Sequence, residues 1–128
     1  MAVNKRSILI IDDNPSILRT FTRVLSKAGY DLSTAQSGEE ASEILLTRKF
    51  DAALIDVGLG KTSGTDLLPL MSKVAPCMLK IIFTGTPMSE TQLNETKRGA
   101  DLFLLKPVKP EILIGILKEK LDRKTNTV

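Results

Sequence analysis

The sequence predicts an α/β domain: a five-stranded parallel sheet, doubly wound, with helices on both faces. Three observations carry that expectation. Short apolar runs recur at 8–11, 52–55 and 102–105, and the run at 79–83 departs from them only at Lys80. A continuous apolar run bounded by turn residues reads as a strand buried on both faces. Between the runs lie segments whose apolar residues repeat at helical spacing, joined by connections of a few residues.

The first strand, 8–11, ends on Asp12 and Asp13. Asn14 caps the next helix and Pro15 takes its first position, where a missing N–H costs nothing. Ile17, Leu18, Phe21, Val24, Leu25 and Ala28 form its apolar face, and Gly29 stops it. A weaker strand over 31–35 mixes Leu, Ser, Thr and Ala, which suits a sheet edge. Ser37 and Glu40 make a capping box for a helix through Ala41, Ile44 and Leu45.

The strand over 52–56 runs four apolar residues straight into Asp56. A charge there needs a compensating partner. A glycine-rich loop with Gly58, Gly60 and Gly64 follows, then a short helix over about 65–72. Pro76 breaks the chain before the fourth strand, 79–84, and Cys77 beside it reads as a buried or half-buried structural thiol. Residues 84–87 form a turn, and Ser89 caps a fourth helix ending near Gly99. Only Leu93 is strongly apolar in that helix, so it is expected to be less stable than its neighbours. The fifth strand, 102–105, ends on Lys106 and Pro107. The last helix starts near Pro110 and buries Ile112, Leu113, Ile116 and Leu117, leaving 123–128 as a frayed tail. No linker divides the chain, so residues 1–128 read as one domain with a core over about 7–121.

Composition removes several function classes. The 128 residues contain no histidine, so no Ser-His-Asp or Cys-His nucleophile system can be built, and any metal must be held by oxygens, as Mg²⁺ is. The single cysteine permits neither an internal disulfide nor a thiolate cluster. A net charge of +3, partly in the last helix, reads as a solvated face, and 4% aromatics give few platforms for stacking bases, so direct nucleic-acid binding is not expected. No signal-peptide core and no membrane span is present, which points to a cytoplasmic protein.

In a parallel sheet every strand ends on the same rim, where ligands bind. Asp12 and Asp13, Asp56, Thr84 and Lys106 all arrive there. Three carboxylates repel one another unless cations sit among them: Lys106 is one, and a divalent metal would supply the rest. Carboxylates with Mg²⁺ bind phosphoryl groups, a lysine and a threonine hydroxyl shield or hydrogen-bond the oxygens, and a carboxylate can itself be the nucleophile. The chemistry therefore points to Asp56 as an acceptor of a phosphoryl group.

These residues together resemble the receiver domain of two-component response regulators. The likeness spans roughly 7–121 and rests on Asp12, Asp13, Asp56, Gly64, Thr84 and the Gly99-Ala100-Asp101 segment leading to Lys106 and Pro107. It implies a flavodoxin-like sheet of strand order 2-1-3-4-5, and a phosphorylated histidine on a partner kinase or phosphotransfer protein as donor to Asp56. It implies Mg²⁺ held by Asp13, Asp56 and the backbone carbonyl of Gly58, with Asp12 acting directly or through water. Thr84 and Lys106 would contact the phosphoryl oxygens, and Phe103 would be the aromatic switch whose rotamer follows Thr84. The bond before Pro107 is expected to be cis, and the face of the fourth helix, fifth strand and fifth helix is the expected signalling surface, toward a downstream protein or a second copy.

The chain also departs from the family pattern. Gly60 stands where a proline is usual, and Gly58 and Thr86 occupy the two positions that tune how water reaches the acyl phosphate. The absent side chain at Gly58 implies that hydrolysis is not strongly blocked. Phe103 in place of tyrosine leaves a switch that works by burial alone.

Three other readings compete. A flavodoxin-like FMN binder would be repelled by Asp12 and Asp13 at its phosphate loop. A haloacid-dehalogenase-like phosphatase uses the same residue types, but its nucleophile is followed two residues later by a second Asp, and here Asp56 is followed by Val57 and Gly58. A degenerate receiver that binds partners without being phosphorylated is the remaining alternative. The expected role is a signalling domain that catalyses only its own phosphorylation and dephosphorylation, not an enzyme. The sequence ends with its fifth helix and reads as either a stand-alone receiver or a domain excised from a longer chain.

Overall fold

A computed structural model describes residues 5–59, 62–85 and 89–126. Strands β1 (Ser7–Ile11), β2 (Asp31–Ala35), β3 (Ala52–Asp56), β4 (Leu79–Thr84) and β5 (Leu102–Leu105) form one parallel sheet in the order β2-β1-β3-β4-β5. The weak second strand is indeed an edge. The apolar runs of β1 and β3 lie inside, where both faces are covered.

Alternation of side chains along each strand divides the core into two layers. On one face Ile8, Ile10, Ala52, Leu54, Ile81 and Phe83 meet Leu18, Phe21 and Leu25 of α1 (Pro15–Lys27) and Leu113, Leu117 and Leu121 of α5 (Pro110–Asn126). On the other, Leu9, Ile11, Ala53, Ile55 and Ile82 meet Ala41 and Leu45 of α2 (Gly38–Thr47) and Leu68 and Met71 of α3 (Leu68–Val74). The remaining helix, α4 (Glu90–Gly99), approaches α3 so closely that a Cβ on Gly99 would stand 2.9 Å from Leu68 Cβ.

Local chemistry sets the helix starts. The Asn14 side chain accepts the Ser16 N–H at 2.9 Å, with Pro15 at the first position of α1. Ser37 Oγ accepts the Glu40 N–H at 3.1 Å, while the Glu40 carboxylate accepts from Gln36 N–H at 3.3 Å, one residue upstream of the partner a capping box usually takes. Gly29, at φ +101°, ends α1 in a backbone conformation that glycine adopts without strain.

Several expectations need correction. The loop after β3 contains a short antiparallel ribbon pairing Gly58–Leu59 with Thr62–Ser63. The third helix opens with a 3₁₀ turn over Gly64–Leu67 and runs on to Val74. Cys77 is exposed, because the turn after α3 carries it past the core. In α5, Ile112, expected in the core, is 55% exposed, and Leu121, one helical turn beyond Leu117, is buried instead. That helix continues to Asn126, so most of the expected frayed tail is helical. Gly60 and Thr86, singled out above, and the second half of the turn expected over 84–87 lie outside the described residues.

Candidate functional site at the carboxyl rim of the sheet

Asp12 stands directly beyond β1 and is fully buried. Its N–H donates to the Ala35 carbonyl at 3.0 Å, which ties it to the end of β2. Its carboxylate accepts the Asn14 N–H at 2.9 Å on one oxygen and the Lys106 ammonium at 2.9 Å on the other. Asp13, next in the chain, is exposed and faces solvent at the mouth of the site.

Asp56 closes β3 and is buried, with Lys106 Nζ 3.4 Å from Oδ1. The charge that looked awkward at the end of an apolar strand therefore has its partner. Burial raises the Asp56 carboxyl pKa above the usual carboxylate range, and the neighbouring Asp12 charge pushes the same way. Lys106 and a hydrogen bond from the Gly58 N–H oppose that rise. Oxygens of Asp12, Asp13 and Asp56 lie within 4.8 Å of one another, and the Lys106 ammonium contacts two of the three carboxylates, those of Asp12 and Asp56. This hard, oxygen-only donor set carries excess negative charge and fits a small divalent cation such as Mg²⁺.

Lys106 reaches this point because its own N–H donates to the Thr84 carbonyl at 2.8 Å, pinning the end of β5 to the end of β4. Thr84 is buried at the same rim, and the Lys106-Pro107 peptide is cis. Gly64 lies under the site: a Cβ there would collide with the Asp56 carbonyl oxygen and stand 2.9 Å from Ile55 Cγ2. Only glycine lets the loop fold back that tightly, and the Gly64 N–H donates to the Val57 carbonyl at 2.9 Å as it does so. Gly58, by contrast, has open space where a side chain would be.

Asp12, Asp13, Asp56, Thr84, Lys106 and Gly58 are thus gathered at one rim. Phe103 is not part of the core: it is 44% exposed on β5, the other edge strand. Sequence reasoning passed over Phe83, whose ring lies beneath the Lys106 ammonium at 4.8 Å from its centroid. The only signal for it was an aromatic residue immediately before Thr84, which reads equally well as core.

A doubly wound sheet with this acidic, lysine-bearing rim suits a phosphoryl-binding domain, and comparison with known proteins shows which family the chain belongs to. A model of the response regulator receiver domain matches residues 8–118, and the chain belongs to that family. It is 36% identical over 110 residues to the alginate biosynthesis transcriptional regulatory protein AlgB of Pseudomonas putida, a match covering 86% of this chain and 25% of that protein. It is 30% identical over 116 residues to the transcriptional regulatory protein GlrR of Escherichia coli, covering 91% of this chain and 26% of that one. The chain spans about a quarter of the length of these curated relatives.

Among solved structures it is similar to a CheY-like response regulator receiver domain protein from Methanospirillum hungatei, with a TM-score of 0.90 at 34% identity over 95% of this chain and 98% of that one. A response regulator protein from Burkholderia pseudomallei, solved with a phosphorylated aspartic acid, a calcium ion and citrate, has a TM-score of 0.82 at 28% identity over 94% of this chain and 71% of that one. Among the described residues no helix is long and apolar enough to cross a membrane.

Proposed function

We propose that Asp56 is the phosphoacceptor of a single receiver domain spanning the chain. The observation that carries this reading is the rim itself: three carboxylates within 4.8 Å, with the Lys106 ammonium 2.9 Å from Asp12 and 3.4 Å from Asp56. A phosphohistidine on a partner kinase or phosphotransfer protein is the donor. An Asp56 carboxylate oxygen attacks phosphorus, the P–N bond breaks, and the histidine nitrogen keeps the electron pair of that bond. The product is an acyl phosphate on Asp56, later cleared by water.

Asp13, Asp56 and the Gly58 carbonyl hold Mg²⁺, with Asp12 acting directly or through water. When bound, Mg²⁺ supplies positive charge to the phosphoryl oxygens. Lys106 provides a fixed cation on the same oxygens, and the Thr84 hydroxyl provides a donor. The domain works as a cytoplasmic signalling module rather than an enzyme acting on a separate substrate, and it makes no direct contact with nucleic acid. Its output face is that of α4, β5 and α5, where Phe103 is the switch residue. Exposure of Leu105 (70%) beside Phe103 supports that assignment, because large exposed apolar side chains on an edge strand suit a partner or a second copy.

Intact-mass measurement after mixing with Mg²⁺ and a small phosphodonor tests the proposal. The expected result is one added phosphoryl mass on the unaltered chain and none on Asp56→Asn. An unaltered chain without the adduct would leave a phosphorylation-independent interaction module. Gly58 and Thr86 are the residues that control water access. The open space at Gly58 supports rapid clearance, so Gly58→Met should lengthen the acyl-phosphate lifetime several-fold, read by decay of the same mass adduct. A shorter lifetime in the variant would reverse that assignment.

A further inference from the structure

We infer that Phe83 is a positioning residue for the phosphoryl-transfer site, holding Lys106 by a contact that does not change when the carboxylates do. The inference rests on the phosphoacceptor reading above and adds a residue to it.

Lysine is a poor choice for a fixed cation unless it is held. Its stem has four rotatable carbons, and its ammonium is a point charge without the preorganised fork of arginine. Here the stem passes Gly85, where a Cβ would lie 3.7 Å from Lys106 Cδ. The ammonium then meets three groups: the Asp12 carboxylate at 2.9 Å, the Asp56 carboxylate at 3.4 Å, and the face of Phe83 at 4.8 Å from the ring centroid. With the side chain only 20% exposed, much of the competition from water is removed, and a cation on a ring face gains from that.

The three holds differ in one respect. A divalent cation on Asp12 and Asp56 draws their charge away from Lys106, and phosphorylation converts the Asp56 carboxylate into an acyl phosphate. Both carboxylate contacts therefore change during the cycle. The ring is neutral and takes part in neither event, so its attraction for the ammonium persists through every state of the site. Phe83 is itself fixed. It is buried in β4, paired in register with Asp56 of β3 and Leu104 of β5. Phe21 of α1 packs against it with ring centroids 6.2 Å apart and planes at 80°, the edge-to-face arrangement that aromatic pairs prefer. The two rings also line an open, mainly apolar groove of about 430 Å³ with Ile17, Val108 and Lys106, so the lysine runs along an apolar wall on that side.

Two measurements test this. In the unaltered chain the Lys106 ε-methylene protons should be shifted upfield by the Phe83 ring current; ordinary shifts would mean the ammonium does not lie on the ring, and would overturn the inference without any variant. Second, Phe83→Met keeps an apolar side chain of similar length but removes the ring, whereas Phe83→Tyr keeps it. With Mg²⁺ and a small phosphodonor, the maximal rate of adduct formation on Asp56 should fall about tenfold in Phe83→Met and return to near the original in Phe83→Tyr. Both are compared at a temperature where circular dichroism shows each variant folded. Equal rates in all three forms, or an equal loss in both variants, would overturn the positioning role while leaving Asp56 as acceptor. Failure of the unaltered chain to form any adduct would instead overturn the acceptor reading on which the role depends.

Discussion

At the residue scale the site is a balance between burial and charge, and Asp56 shows it most clearly. Its carboxyl is raised because burial and Asp12 disfavour ionisation more than Lys106 and the Gly58 N–H favour it. A carboxyl whose folded pKa exceeds its unfolded value contributes stability below the unfolded value, and that contribution is lost as pH rises through the folded value. At neutral pH the ionised side chain therefore costs stability. Without divalent cations, Asp56→Asn should be more stable than the unaltered chain at pH 7. The difference should shrink as pH falls from the raised value toward the ordinary carboxylate range. Urea unfolding in chelator across that pH range checks the sign; a difference that grew on acidification would contradict it.

At the element scale, the helices differ in how firmly the sheet holds them. On α1, Leu18, Phe21 and Leu25 are all buried, and on α5 so are Leu113, Leu117 and Leu121, so removing any of them should cost on the order of 2–5 kcal/mol. Among its described residues, α4 offers the close approach of Gly99 to Leu68 and a partly buried Leu93. Its amides should therefore exchange with deuterium sooner than those of α1, as native-state hydrogen exchange would show, and equal protection would contradict the expectation of a weak fourth helix. α5 carries its own defect. Gly115 lies in its interior, exposed and with open space around the position of a Cβ. Gly115→Ala should stabilise the domain by about 1 kcal/mol in urea unfolding, since alanine has less backbone freedom to lose.

At the scale of the whole molecule, the sheet places groups distant in sequence on a single rim. Asp12 and Lys106 are 94 residues apart and meet at 2.9 Å. Anything that neutralises the carboxylates and binds only the folded chain must stabilise all of it. Mg²⁺ at about a hundred times its dissociation constant should add roughly 2.7 kcal/mol, read as a rise in Tm. Asp13→Asn, which removes a proposed ligand at the exposed mouth, should weaken or abolish that rise. A Tm indifferent to Mg²⁺ in the unaltered chain would argue against a metal at the rim.

Much of this was legible in the linear chain because it depends on neighbours in sequence. Asn14 and Pro15 start a helix, Gly29 ends it, and an apolar run ending in Asp56 makes a buried strand with a carboxylate at its tip; each signal acts within a few residues. The set of strand endings also pointed to the acceptor chemistry, since parallel strands must all finish on one rim. What lay beyond the sequence depends on which element lies across from which. Phe83 reads as ordinary core until Lys106 arrives over it from a strand about twenty residues away. The same apolar periodicity that buries Leu113 leaves Ile112 outside, because α5 turns only one stripe toward the sheet. Cys77 and Phe103 sit in apolar company along the chain yet face outward, one on a turn and the other on an edge strand. Helix capping and apolar period are local properties of the chain, whereas exposure and charge pairing belong to the packed molecule.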